Sequence, residues 1–100
     1  MVKLAFLARF DAKPGKEEEV ARFLETACEM ARKESTTINW YAFRISHNSF
    51  GVFDTFNDEA GRQKHLNGPI GQALMAKAPE LFSGAPSIVP VDLVASKHPG

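Results

Sequence analysis

The segment that most limits this chain is "STTINWYAFRISHNSFGVFDTF", residues 35–56. It places β-branched and aromatic residues on both sides of a short polar interruption, "HNS", where Asn48 tolerates tight-turn backbone. Such a run predicts a two-stranded antiparallel hairpin. With His47 and Asn48 as the central turn residues, Ser46 pairs with Ser49, Ile45 with Phe50, Phe43 with Val52, Tyr41 with Asp54 and Asn39 with Phe56. Paired side chains share a face. One face is therefore expected to carry Asn39, Tyr41, Phe43, Ile45, Phe50, Val52, Asp54 and Phe56. The other is expected to carry Trp40, Ala42, Arg44, Gly51, Phe53 and Thr55. Neither reads as a plain solvated surface. The first needs helices of the same chain, and the second, with Trp40 and Phe53, needs a partner.

The remaining elements say which helices are available. Val2, Leu4, Phe6, Ala8 and Phe10 recur with a period of two, predicting a first strand that ends before Pro14 and Gly15. From Lys16 to about Glu34 the period becomes helical, with Val20, Phe23, Leu24, Ala27, Met30 and Ala31 on one stripe. After the hairpin, "NDEAGRQKHL" predicts a short helix capped by Asn57 or Asp58. Pro69 suits the first turn of the next helix, "PIGQALMAKAPELF". The last strand is "IVPVDLVAS", where Pro90 marks an edge or a bulge. The order β-α-β-β-α(α)-β predicts an α+β, ferredoxin-like split βαβ fold with an antiparallel sheet. One domain is expected over residues 1–96, with a flexible tail at 97–100.

Composition narrows the function classes. Twelve Lys and Arg balance twelve Asp and Glu, with no basic stripe for nucleic acid or an anionic membrane. No run approaches the ~20 apolar residues of a spanning helix, and Arg9 and Asp11 interrupt the N-terminal stretch too early for a signal peptide. The lone Cys28 has neither a disulfide partner nor zinc-type spacing, so a reducing, cytoplasmic setting is expected. Three scattered histidines form no metal set, no serine stands in a nucleophile elbow, and "KPGK" lacks phosphate-loop spacing. No metal and no cofactor is expected. A near-neutral chain is compatible with self-association. A symmetric homodimer joined through Trp40, Arg44 and Phe53 is the expected cover for the second sheet face, the alternative being a loop or the C-terminal tail laid over it.

The chemistry concentrates in "DTFNDEAGRQKHL", residues 54–66, where Asp54 ends a strand and His65 ends a helix. An ionised acid among apolar neighbours needs partners. Tyr41, paired with Asp54 in the expected register, and His65 are placed to supply them.

Strand one, the "KPGKEEEVARFL" helix, the aromatic hairpin and "FDTFNDEAGRQKHL" together resemble the antibiotic biosynthesis monooxygenase family. The resemblance runs from Val2 to about Ala95. Asp54 stands where an acid is common, Phe56 where Trp is common, His65-Leu66 at a His-Leu step, and Tyr41 at a frequent tyrosine. It implies a dimeric α+β barrel with a pocket between sheet and helices. Some members oxygenate phenols or quinols with O2 and no cofactor. Haem-degrading relatives carry Asn, Trp and His where this chain has Ala8, Phe56 and Met75, so haem cleavage is not expected. The implied activity is cofactor-independent oxidation of a small aromatic phenol or quinol. His65 is the expected base, oriented by Asp54, with Tyr41 binding a substrate oxygen. Arg62 and Asn39 would bind the substrate, and Phe6, Phe43 and Phe56 would wall its ring. The alternatives are a non-catalytic protein that binds a small ligand or serves a stress response, and an isomerase or decarboxylase that shuttles protons through His65.

Overall fold

The computed structural model describes residues 3–97, so Val2 and His98 lie outside the described residues. The chain runs β1 (Leu4–Asp11), α1 (Glu17–Ala31), β2 (Thr37–Arg44), β3 (Ser49–Phe56), α2 (Glu59–Leu66), α3 (Pro69–Leu81) and β4 (Ser87–Asp92). All pairings are antiparallel, and the strand order is β2-β3-β1-β4. This is the α+β ferredoxin-like arrangement that the element order implies. β4 pairs with β1 and lies at an edge, the position where a strand proline such as Pro90 is tolerated. The Asp58 carboxylate caps α2 by accepting from the Gly61 N–H at 2.7 Å, and Pro69 sits in the first turn of α3. At Gly71 an added Cβ would come 2.3 Å from the Leu66 carbonyl oxygen, so only glycine lets α3 follow α2 this closely.

One face of the sheet meets the helices. β1 contributes Ala8 and Phe10 and β3 contributes Phe50 and Val52. They pack against Val20 and Leu24 of α1 and against Leu74 and Leu81 of α3. Burying side chains of this size stabilises by about 1.5–3 kcal/mol each.

The hairpin departs from its expected register. The pairs are Arg44↔Phe50, Phe43↔Gly51, Ala42↔Val52, Tyr41↔Phe53, Trp40↔Asp54 and Asn39↔Thr55, with an irregularity between Thr37 and Asn39. The connection is longer than a two-residue turn, because the N–H groups of Ile45 and Ser46 both donate to the Ser49 carbonyl, at 2.8 and 3.3 Å. A one-residue slip sends every side chain of the shifted strand to the opposite face. Asn39, Tyr41 and Phe43, expected beneath the helices, therefore lie on the open face. Trp40, Ala42 and Arg44, expected on the open face, lie on the helix side. β3 keeps its expected parity because β1 holds it from its other edge, through Phe6↔Asp54, Ala8↔Val52 and Phe10↔Phe50.

The open face remains apolar with different residues. Tyr41 is 57% exposed, and Leu7, Phe43 and Val89 are exposed beside the half-buried Phe53. The Phe43 ring lies over Gly51, where a Cβ would stand 2.5 Å from two of its carbons. Arg44 projects from the helix side, pairs with Glu18 at 2.9 Å and lies 4.7 Å above the Phe50 ring.

Candidate functional site

Asp54 is the third side chain of the helix-facing row of β3, counted from the hairpin, and it is 3% exposed. Nothing in that apolar row can neutralise a carboxylate, so the counter-charge comes from outside the sheet. α2 supplies it. His65, in the last turn and 8% exposed, directs Nε2 to Asp54 Oδ2 at 2.8 Å. Its other ring nitrogen, Nδ1, lies 2.6 Å from Glu34 Oε1. The Thr37 hydroxyl donates to the same Glu34 oxygen at 2.8 Å and stands 3.3 Å from Nδ1. The Phe56 ring covers the imidazole at 5.2 Å between centroids.

This arrangement decides the state of the ring. Burial by itself pushes the His65 pKa down. The hydrogen bonds and charges of Asp54 and Glu34 outweigh it, so the pKa is raised above its ordinary value. A carboxylate at each nitrogen favours the protonated ring, in which both N–H groups donate. Both ring nitrogens of His65, the residue expected to serve as a base, are thus engaged by carboxylates. With the ring protonated and both carboxylates ionised, the three groups together carry one net negative charge.

One polar atom of the cluster faces the interior unmatched. Asp54 Oδ1 is buried and has no hydrogen-bond partner among the described residues, and the same holds for Trp40 Nε1 on the opposing rung. Both residues line a cavity of about 60 Å³ whose other walls include Phe6, Ala8, His65 and Leu74. That volume suits a few waters and is well below the roughly 150 Å³ of an apolar cavity that holds benzene. Beyond the Trp40 indole lies a larger groove of about 360 Å³, bordered by Leu24, Cys28, Ala42 and Phe50, so Trp40 and Leu24 divide two spaces. On its far side His65 borders an outer groove with Lys33, Glu34 and Lys64.

The candidate residues thus separate. Asp54, His65 and Phe6 meet at the cavity, while Phe56 packs behind them, edge-on to Phe6 at 5.8 Å. Tyr41, Asn39 and Phe43 are on the other side of the sheet, where Asn39 Oδ1 accepts from the Thr55 hydroxyl at 2.9 Å. Arg62 does not reach the cavity. Its guanidinium makes a two-point pair with Glu59, at 2.7 and 2.9 Å, and reaches the Ala5 and Val91 carbonyls at 3.3 and 3.4 Å. Arg62 therefore fastens α2 across β1 and β4. Met75 is exposed on α3.

Sequence reasoning missed Glu34 and the inward role of Trp40. Glu34 reads as the last residue of a helix, but α1 stops at Ala31 and frees it for the loop into β2. An acid at a helix C-terminus opposes the dipole, and that is the signal that it answers a cation elsewhere. Among the described residues no group of three His, Cys, Asp or Glu is arranged to hold a metal ion. No helix among them is long and apolar enough to cross a membrane.

No family model and no curated protein matches the chain. Solved structures do. The crystal structure of the NE2512 protein of unknown function from Nitrosomonas europaea is 51% identical, with a TM-score of 0.95 over 100% of this chain and 97% of that one. PA3566 from Pseudomonas aeruginosa is 18% identical, with a TM-score of 0.81 over 95% and 97% of the two chains. A protein solved as an antibiotic biosynthesis monooxygenase is 18% identical, with a TM-score of 0.79 over 92% and 99%. The last two likenesses concern the fold.

Proposed function

We propose a function from two premises: the chain belongs to the same family as the NE2512 protein of Nitrosomonas europaea, and its fold is that of antibiotic biosynthesis monooxygenases. The reading is a cofactor-independent oxygenation of a small aromatic phenol or quinol. The observation that carries it is the buried Asp54 oxygen, unpartnered at the polar end of an apolar cavity and backed by the His65 imidazolium.

Asp54 Oδ1, in this reading, accepts the substrate hydroxyl proton. The electron-rich phenolate passes an electron to O2, and the two radicals combine at a ring carbon as a peroxide. The ring carbon then loses its hydrogen and becomes a carbonyl as the O–O bond breaks. The departing oxygen takes up that hydrogen as a proton together with the proton held by Asp54, so phenol plus O2 gives quinone plus water. His65 stays protonated throughout and holds a fixed positive charge near the developing oxyanion. Glu34 keeps it so. The aromatic ring is larger than the cavity, so binding moves the Leu24 side chain, leaves Trp40 in place and joins the cavity to the adjacent groove.

The open sheet face supports a homodimer. Leu7, Tyr41, Phe43 and Phe53 form the apolar centre that a second copy would cover, in place of the Trp40-centred patch. A lone cysteine suits the reducing cytoplasm, where this reading places the protein.

The decisive experiment is oxygen uptake with a panel of phenols and quinols in metal-free buffer. Wild type is expected to consume O2 with at least one of them, and Asp54→Asn to lose at least about 100-fold, the usual scale of a proton-transfer group. Uptake by neither protein would leave a second reading, a non-catalytic small-ligand protein. One observation favours that alternative: both ring nitrogens of His65 are held by carboxylates.

A further inference from the structure

We infer that Trp40 and Asp54 together form a recognition site for a neutral hydroxyl group, so that the cavity takes phenols or alcohols in preference to ethers and carboxylates. The inference rests on the preceding reading only in placing the ligand in this cavity, and it requires no turnover.

Trp40 Nε1 is a donor and never an acceptor, whereas the Asp54 carboxylate, paired with the His65 imidazolium, accepts and does not donate. Trp40 and Asp54 are partners on one rung of the β2–β3 ladder, both on the helix side, and both border the same space. Buried polar atoms are almost always hydrogen-bonded, so two without protein partners at one cavity mark a demand for a ligand that satisfies both. A hydroxyl does so, because it donates one hydrogen bond and accepts another. A methyl ether accepts from the indole but leaves Asp54 unmet. A carboxylate has no hydrogen to donate and meets a cluster with one net negative charge, from Asp54, His65 and Glu34.

The surrounding charges leave this selectivity intact. Lys33 and Lys64 border the outer groove, on the other side of the imidazole. Arg62 is engaged by Glu59 and backbone carbonyls. Apart from His65, no cation among the described residues lines the cavity itself. The indole has two functions here: its face forms the wall toward the larger groove, and its N–H reads the ligand's oxygen. Trp40 is thus a specificity-determining residue, and β2 presents it inward only because of the register described above.

Trp40 is the one tryptophan of the chain, so its indole N–H gives a single, separately observed NMR resonance. Wild type is titrated at neutral pH with phenol, anisole and benzoate, following that resonance, with affinities from calorimetry. Phenol is expected to move the resonance and to bind about 10-fold or more tightly than either analogue, because each leaves a buried group unpaired. Trp40→Phe, which keeps a ring and removes the N–H, is expected to weaken phenol by a similar factor. Asp54→Asn, which can offer a donor, is expected to bring phenol and anisole together. Equal binding of phenol and anisole by wild type, or an indole resonance unmoved by phenol, overturns the inference. The oxygen-uptake result is separate. Hydroxyl selectivity without uptake sustains this inference and sinks the oxygenase, and uptake without hydroxyl selectivity does the reverse.

Discussion

The two faces of the sheet are built from similar residues and have opposite fates. On the helix side Phe6, Val52, Asp54 and Trp40 enclose a small cavity with an ionic cluster at one end. On the other side Leu7, Phe53, Tyr41 and Phe43 present a comparably apolar surface with no cover from the described residues. Apolar content alone does not separate them. What differs is the means of neutralising polar atoms. The helix side obtains an imidazolium from α2 and a carboxylate from the α1–β2 loop. The open side has an exposed Arg9–Asp11 pair at 3.9 Å and local hydrogen bonds such as Thr55 to Asn39. Chemistry is therefore expected from one face and association from the other.

That contrast is most severely tested at His65. His65→Ala leaves the Asp54 and Glu34 carboxylates without their shared cation and is expected to cost about 3–5 kcal/mol, the usual penalty for breaking a buried ion pair. Urea unfolding near pH 6.5 measures it. A loss below about 1 kcal/mol would mean that the cluster is solvated and the two faces are electrostatically alike. Replacing Glu34 by Gln removes one charged hydrogen bond to the ring and is expected to cost about 1.5–3 kcal/mol.

The pH dependence sharpens the same point. The folded-state pKa of His65 lies above its unfolded value of about 6.5. The group's contribution is therefore fully present below that unfolded value and is lost as pH rises through the folded one. Wild type should lose stability on alkaline titration in that window, and His65→Gln should show a flatter profile. If the variant's slope matches that of wild type, the imidazolium assignment fails.

The open face is expected to respond in the opposite way. Phe53→Asp should convert a dimer to a monomer in light scattering while the chain stays folded, whereas a particle mass unchanged at low protein concentration would remove the association role. Tyr41→Ser is the smallest effect, within about 0.5 kcal/mol of wild-type monomer stability, as for other exposed positions. A cost of several times that would show that Tyr41 has a structural partner on the face.

Much of this was legible in the residues. The element order, the Asp58 cap, Pro69 at the start of α3 and Pro90 on an edge strand all follow from local rules. The meeting of Asp54 with His65 was legible too, because a strand-end acid and a helix-end histidine separated by a short linker have few other places to go. The facing of β2 was not. Trp40 and Ala42 alternate with Tyr41 and Phe43, and both sets are apolar enough to be buried, so a period of two fits either register. Glu34 was hidden for a different reason: the helical pattern of α1 continues past Ala31, and only the distant His65 gives the acid a reason to leave it.

By itself the sequence determined which segments become strands and helices, that one sheet face must lie under those helices, and that an acid would end up among hydrocarbon. These depend on side-chain periodicity and backbone preferences within a few residues. Only the tertiary structure decided that Trp40 rather than Tyr41 opposes Asp54, that His65 is clamped between two carboxylates, and that the enclosed space is about 60 Å³. Each of those depends on a loop length or on a contact between residues far apart in the chain, where a shift of one position reverses which side chain faces inward.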